Sequence, residues 1–158
     1  TQWIALAEQY HAIVLAPQSA DPARWNPSEV GFIRKTIDNL LSMYTIDRNR
    51  IVVHGQQAGG SMSYLVGFSQ RDLIRGVAPL DASLPARAAI KANDPGERLA
   101  FYAFNVKESK LAKASAAGVK RLTAAKYPVT TVQLNDKSGL SDSDRMQFLQ
   151  WVDSLDRI

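Results

Sequence analysis

Cysteine is absent from this sequence and histidine is scarce. There is no cysteine among the 158 residues, which excludes disulfide bonds, thiolate metal sites and a thiol nucleophile. Only two histidines are present, His11 and His54, so the supply of side chains that act as bases near neutral pH is small. We predict no cofactor and no metal site.

Long apolar runs and runs of like charge are also missing. No apolar stretch reaches the roughly 20 residues that a membrane-spanning helix needs, so we predict no membrane span. The net charge is +4, and the lysines and arginines are dispersed, which argues against nucleic acid as a partner. The composition does not fix the compartment, and an extracytoplasmic location is compatible with it.

The length and the first residue suggest how the chain is organised. A chain of 158 residues is typical of one domain, and we treat 1–158 as a single domain that buries about two-thirds of its surface. Because the chain opens on Thr1 without an initiator methionine, we expect it to be a fragment or module of a longer protein.

Short apolar segments alternate with segments of helical periodicity along the whole chain. This alternation predicts an α/β fold with a mostly parallel sheet of about five strands flanked by helices. The continuous apolar run AIVLAP indicates a strand that is buried on both faces. The predicted strands are residues 12–17, 50–55, 73–80, 99–106 and 128–134. The predicted helices are residues 3–10, 26–44, 57–68, 111–125 and a last helix capped by Ser141.

A tight turn is predicted between the second strand and the following helix. The residues there are Gly55, Gln56, Gln57, Ala58 and Gly59, followed by Gly60. Their spacing is that of the G-x-S-x-G turn, whose central residue is strained and needs small neighbours on either side. Gln57 occupies the central position, and its amide is a poor nucleophile. From the spacing alone, close helix–sheet packing and a former catalytic turn explain the glycines equally well.

The residues around this turn resemble the α/β-hydrolase superfamily, in particular its esterase, polyhydroxybutyrate-depolymerase and phospholipase/carboxylesterase-like branch. Proteins of that branch carry a comparable Y-x-I-D-x-x-R-I run ahead of a G-x-S-x-G-G turn. The matching residues here are Tyr44, Ile46, Asp47, Arg50, Ile51, Gly55, Gly59 and Gly60. The resemblance implies a partial α/β-hydrolase fold that lacks the N-terminal strands.

The resemblance also implies where a catalytic triad would lie. Gln57 stands at the serine position, and Glu108 is a possible remnant of the acid, although a solvated loop carboxylate is the simpler interpretation. The histidine would lie in the loop at residues 135–140, where none is found. We interpret His11 and His54 as structural or packing residues. Two of the three catalytic positions are therefore empty.

Other side chains offer little replacement chemistry. Ser61 and Ser63 follow the turn inside the helix, where no base is predicted to activate them. Asp136, Asp142 and Asp144 are close in sequence, but acids at a helix start favour the helix dipole and need no metal. The three tryptophans are predicted to pack in the core.

A missing strand is the last implication of the resemblance. In the family it lies between the strands that correspond to 12–17 and 50–54, and this chain is expected to begin after it. Because unpaired backbone groups are costly when buried, we expect the gap to be filled. Direct pairing of the two flanking strands, the rest of the parent polypeptide or a second chain would fill it, unless the missing residues were cleaved away. We favour a longer native polypeptide that provides the strand.

Three functions stay open from the sequence. The favoured one is a catalytically inactive hydrolase-like domain that serves as a structural, ligand-binding or interaction module of a larger protein. The second is an esterase or serine peptidase with a non-standard site. The third is an accessory domain of a multidomain secreted hydrolase or protease.

Overall fold

A computed structural model describes residues 3–86, 88–135 and 139–157 of the chain. Its helices and strands follow one another in the alternating order that the sequence predicts. In chain order they are α1 (Ile4–Gln9), α2 (Val30–Met43), β1 (Val52–Gln56), α3 (Ala58–Ser69), β2 (Gly76–Leu80), β3 (Ala100–Val106), α4 (Ala112–Ala124), β4 (Val129–Leu134) and α5 (Asp142–Ser154). Single helical turns lie at Pro27–Glu29, Arg48–Arg50, Pro95–Glu97 and Leu155–Arg157.

Local hydrogen bonds fix the starts of two helical segments. The Asn26 side chain accepts from the N–H of Ser28 at 3.0 Å, and the Glu29 carboxylate accepts from the N–H of Asn26 at 2.6 Å. Ser141 and Asp144 form the same reciprocal capping box ahead of α5. Such boxes satisfy backbone N–H groups that a helix start otherwise leaves unpaired.

The described strands form one parallel sheet in the order β1-β2-β3-β4. All five residues of β2 and six of the seven in β3 are buried, because helices cover both faces of the sheet. The sheet's α2/α3 side packs around Tyr64, Val77 and Phe101. Its opposite side packs Phe104 and Phe148 with other residues of β2, β3 and α5. None of the described helices has both the length and the apolar character needed to cross a bilayer.

The prediction of a buried strand at residues 12–17 is wrong. These residues form no helix or strand, and Ile13, Val14 and Leu15 are 51%, 51% and 37% exposed. Apolar composition predicts a strand only where a neighbouring strand accepts and donates the ladder hydrogen bonds. Among the described residues no backbone hydrogen bond joins 12–17 to β1. The sheet of the described residues therefore has four strands rather than about five.

Candidate functional site

The backbone of Gln57 adopts the strained conformation that the turn requires. Gln57 lies between the end of β1 and the start of α3, with φ 50° and ψ −111°. This region is rarely populated by residues other than glycine and costs about 1–3 kcal/mol. Two hydrogen bonds of 2.9 Å hold it: the Gln57 N–H donates to the Leu80 carbonyl, and the Gln57 carbonyl accepts from the Ser61 N–H. The side chain of Gln57 is exposed at the carboxyl edge of the sheet.

Close packing explains two of the three glycines. A Cβ atom on Gly55 would lie 2.3 Å from the carbonyl carbon and oxygen of Gly59, and one on Gly60 would lie 2.4 Å from the Cβ of Ala82. A Cβ on Gly59 would meet only the indole nitrogen of Trp25, at 3.8 Å. The turn motif predicts that Gly55 and Gly59 must both lack a side chain. This holds for Gly55, but Gly59 has room for a Cβ, and the second position without room is Gly60.

The amino end of α3 has no side-chain cap. Its first internal hydrogen bond is donated by Ser61, and the N–H groups of Ala58 and Gly59 have no partner among the described residues. Unpaired N–H groups at a helix start, together with the helix dipole, attract hydrogen-bond acceptors and negative charge. This end of α3 is therefore a donor-rich surface.

A shallow cavity of about 430 Å³ opens beside this helix start. Ala58 and Gly59 line it on one side, and the loop at residues 17–25 lines it on the other. Trp25 is half-buried, contacts the core on the α2/α3 side and also lines the cavity, so the packing prediction for this residue describes only part of its environment. Its indole N–H has no hydrogen-bond partner among the described residues.

A second cavity, of about 310 Å³, lies near the amino ends of the strands. Its lining includes Arg75, Arg98 and Lys126, which sit just before β2, β3 and β4. No residue of the predicted site lines it. We therefore place the candidate site at the carboxyl edge, where ligands of parallel α/β sheets bind.

The predicted substitutes for a nucleophile or acid are not arranged as a catalytic set. Ser63 is buried and donates to the Gly60 carbonyl at 2.7 Å, as expected of a helical serine. Ser61 makes a long contact of 3.5 Å with the Ser83 carbonyl. Glu108 is exposed in the turn that follows β3 and has no ion pair among the described residues.

His54 lies on β1 and turns toward the aromatic core on the α5 side. Its Nδ1 is 2.7 Å from the Ala78 carbonyl oxygen, so this nitrogen carries the proton and donates. The rings of Phe148, Trp3 and Phe104 lie 5.6 to 6.0 Å from the imidazole. Burial among these rings lowers the pKa of His54, and the hydrogen bond to Ala78 opposes this. Part of the His54 side chain is nevertheless exposed.

The structure does not support the interpretation of His11 as a packing residue. It is exposed in the turn after α1, with φ 49°. A side chain in that position gains little from packing. The loop in which the resemblance places a catalytic histidine includes Asp136, which lies outside the described residues, as do 137 and 138.

Asp81 is a polar residue of this edge that the sequence analysis missed. It follows β2, directly after Leu80, whose carbonyl holds the Gln57 N–H. It is 3% exposed and has φ 45°, and its carboxylate has no hydrogen bond or ion pair among the described residues. Gln57 and Asp81 therefore both have a positive φ, each directly after one of the two paired strands β1 and β2. The sequence held one signal for a turn at Asp81, which is that aspartate tolerates a positive φ better than most residues.

The acids near α5 have structural roles. Asp144 closes the capping box with Ser141, and Asp142 pairs with the buried Arg145 at 2.6 Å. No group of three metal-ligating side chains is found in the part of the chain that the structure describes. The prediction that Asp142 and Asp144 belong to a helix start is confirmed.

Comparison with known proteins gives one match in sequence and many in structure. No protein-family model matches the chain. A poly(3-hydroxybutyrate) depolymerase from Ralstonia pickettii is 30% identical over 90 residues, covering 48% of this chain and 18% of the depolymerase. The chain therefore spans less than a fifth of the length of that curated relative.

Two carboxylesterases superimpose on nearly the whole chain. The carboxylesterase of Bacillus cereus matches with a TM-score of 0.69 at 18% identity, over 97% of this chain and 81% of that one. The carboxylesterase from Mesorhizobium loti matches with a TM-score of 0.69 at 13% identity, over 96% and 81% of the two chains. This protein therefore has an α/β-hydrolase fold in partial form, with a four-stranded parallel sheet flanked by helices.

Proposed function

We propose that this chain is a catalytically inactive hydrolase-like domain that binds a small ligand as a module of a larger protein. The observation that carries the proposal is Gln57, which has the strained backbone of a nucleophile turn and no nucleophilic atom. Ester hydrolysis through a covalent intermediate needs a nucleophile and a base within hydrogen-bond reach. Neither described histidine supports such a pair, since His54 is bound to Ala78 and His11 lies in the turn after α1.

The chemistry of the cavity favours a ligand that carries a carboxylate or a carbonyl oxygen. The N–H groups of Ala58 and Gly59 and the indole N–H of Trp25 are three donors without partners in the described chain. Donors arranged around a helix start bind acceptor oxygens and negative charge. The depolymerase relative, by its name, acts on a polyester of 3-hydroxybutyrate, so short hydroxy acids are reasonable first probes.

The absence of catalysis is tested with a fluorophosphonate probe and a panel of short-chain esters and peptides. We expect no covalent labelling of the purified chain and no turnover above the buffer rate. Labelling that is lost in Ser61→Ala or Ser63→Ala would overturn the proposal, and would favour a hydrolase with a non-standard site.

A single substitution sharpens this test. Gln57→Ser restores a hydroxyl at the turn but supplies no base, so we expect turnover to stay at the buffer rate. Robust ester hydrolysis by Gln57→Ser would mean that a base lies within reach, and that our interpretation of the site is wrong.

Ligand binding is tested by calorimetry with 3-hydroxybutyrate and butyrate, and with butylamine as the negative control. We expect both carboxylates to bind and the amine not to bind. Trp25→Phe keeps the ring and removes the indole donor, and should weaken carboxylate binding about tenfold, or about 1.4 kcal/mol. Tyr44→Phe, at an exposed tyrosine, is the matched control and should leave binding unchanged. Equal binding by the two variants, or none by the unmodified chain, would refute the ligand assignment.

A further inference from the structure

The cavity at the amino ends of the strands is lined by cations from three separate segments of the chain. Arg75 precedes β2, Arg98 precedes β3 and Lys126 precedes β4. The described residues that line this cavity include no acid. Three positive charges around a space of about 310 Å³ repel one another, and an anion bound between them would offset this repulsion. The cavity therefore has the electrostatic character of an anion site.

Hydrogen bonds of the sheet hold these three segments side by side. The Arg75 carbonyl accepts from the Ala100 N–H at 3.0 Å, and the Pro128 carbonyl accepts from the Phe101 N–H at 2.9 Å. These bonds continue the parallel pairing of β2 with β3 and of β3 with β4 to the amino ends of the strands. The three cations are therefore brought to one cavity by the sheet, although they are far apart in the sequence.

The guanidinium of Arg75 is held in place without a carboxylate partner among the described residues. Its Nη1 donates to the carbonyls of Arg71 at 2.7 Å and Ile74 at 3.2 Å. The acid nearest to it in sequence, Asp72, pairs instead with Arg34 at 2.8 Å. Bonds to neutral carbonyls orient a guanidinium but do not neutralise its charge. Arg75 is therefore oriented before an anion binds, which lowers the entropic cost of binding.

Asn93 adds a neutral donor to the lining of this cavity. Its Oδ1 accepts from the Arg71 guanidinium and from the Leu99 N–H, both at 3.2 Å. Because both partners are donors, they identify this atom as the oxygen of the amide. The Asn93 Nδ2 is therefore the other end, and it makes no hydrogen bond within the part of the chain that the structure describes.

The backbone of Lys126 gives an independent indication that its side chain has a role. Lys126 follows α4 with φ 66°, and its N–H donates to the Thr123 carbonyl at 3.0 Å. Glycine is the usual residue in this conformation at a helix end, because a side chain is strained there. A strained residue that is not glycine suggests a function for its side chain. The Lys126 side chain is exposed, lines the cavity and has no ion pair in the described chain.

We propose that this cavity binds a phosphate group, either as inorganic phosphate or as a small phosphate monoester. A phosphate dianion has several acceptor oxygens in a tetrahedral arrangement, so it can meet donors from three segments at once. A monocarboxylate has one charge and two oxygens, and would leave some of these donors unused. Leu99 and Leu155 give the cavity an apolar wall for the carbon substituent of an ester. This proposal does not depend on ligand binding at the carboxyl edge.

Calorimetry of the 158-residue chain with inorganic phosphate and phenyl phosphate tests the binding, and acetate is the negative control. We expect both phosphates to bind with dissociation constants of about 1 mM or below, and acetate not to bind. Tighter binding of inorganic phosphate would identify the free ion as the ligand, and tighter binding of phenyl phosphate would identify an ester. Binding of neither phosphate, or equal binding of acetate, would overturn the proposal.

Substitutions of Lys126 separate a role in binding from a role in folding. Lys126→Gln removes the charge and should weaken phosphate binding about tenfold, with the melting temperature within about 2 °C of the unmodified chain. Lys126→Gly should weaken binding as much and raise the melting temperature by about 2 °C, because glycine relieves the strain. Lys35→Gln, at an exposed residue of α2, causes the same change in net charge and should leave phosphate binding unchanged. Equal phosphate affinities of Lys126→Gln and Lys35→Gln would refute the site.

A crossed comparison distinguishes this cavity from the one at the carboxyl edge. Trp25→Phe alters only the carboxyl-edge cavity, so it should leave phosphate binding unchanged. Lys126→Gln should leave butyrate binding unchanged for the corresponding reason. Loss of phosphate binding in Trp25→Phe but not in Lys126→Gln would overturn the proposal and would place the anion at the start of α3.

Discussion

The backbone N–H of Gln57 donates a 2.9 Å hydrogen bond to the carbonyl oxygen of Leu80, and this bond fixes the turn on which the candidate site is built. It extends the pairing of β1 with β2 by one residue beyond the Gln56–Leu80 pair. The strained conformation of Gln57 is thus held by the sheet on one side and by the first turn of α3 on the other. Substitutions that relieve the strained backbone of Gln57 therefore test this description of the site.

Gln57→Gly should stabilise the chain. A glycine adopts φ 50° and ψ −111° without the penalty that glutamine bears, although it loses more freedom on folding. We expect a net gain of about 1 kcal/mol in the free energy of unfolding, measured by urea denaturation. The control is Gln56→Gly in β1, which should destabilise by about 0.5–1 kcal/mol. A loss in both variants would contradict the assignment of strain to Gln57.

Gly55→Ala and Gly59→Ala should have opposite effects on stability. The first puts a methyl group 2.3 Å from the backbone of Gly59, which forces the strand and helix apart and should cost about 2–3 kcal/mol or more. The second adds a methyl group that meets only Trp25 at 3.8 Å, and should stabilise the first turn of α3 by about 0.5 kcal/mol. Urea denaturation measures both values, and equal losses would disprove the packing assigned here.

Tyr64→Phe should stabilise the chain and reduce its sensitivity to alkali. The Tyr64 hydroxyl is buried without a partner among the described residues, so its removal should gain about 1 kcal/mol at neutral pH. Tyr127→Phe is the control, because its hydroxyl donates to the Lys91 carbonyl and accepts from Arg71, and should destabilise by about 1–2 kcal/mol.

The pH dependence of Tyr64 has a definite sign. Burial raises the pKa of Tyr64 from 10.0 to about 12, so the folded state holds the proton that the unfolded chain loses near pH 10. Its contribution to stability is complete below pH 10 and is lost as the pH rises toward 12, by roughly 2–3 kcal/mol in total. The difference in stability between Tyr64→Phe and the unmodified chain should therefore grow across this range. A constant difference would contradict the raised pKa.

Asp81→Asn should strengthen the binding of a carboxylate at the cavity. Its carboxylate is buried and has no partner among the described residues, and Asp81 follows Leu80, which bonds to Gln57; a negative charge on it would oppose a second one brought to this edge of the sheet. Asparagine retains the tolerance of positive φ, so the turn should stay intact. We expect severalfold tighter binding of butyrate in calorimetry. Glu108→Gln, at an exposed acid, should leave affinity unchanged, and a loss of affinity in Asp81→Asn would assign this carboxylate to ligand binding instead.

Local rules predicted the helices well. The capping residues Asn26 and Ser141 lie where the sequence places them, because a cap depends on residues within three positions of each other. Four of the five predicted strands are also confirmed within a few residues. The fifth, at 12–17, failed because its pairing partner is not determined by its own composition.

The candidate site was predicted in part. The motif spacing located the turn at Gln57, and the structure gives that residue the expected strained backbone. Asp81 could not be found in this way, because its position depends on the register of β2 against β1 across a sequence separation of more than twenty residues. The role of Gly60 was missed for the same reason, since its neighbour Ala82 lies beyond β2.

By itself the sequence determined the alternation of strands and helices, the turn at Gln57 and the absence of a cysteine nucleophile, because these depend on residue types and short spacings. Only the tertiary structure decided that residues 12–17 form no strand and that 13–16 are exposed, that Asp81 lies buried after β2, and that β1 is an edge of the sheet of described strands. The physical reason is that pairing and burial are properties of neighbours distant in sequence, which local patterns do not encode.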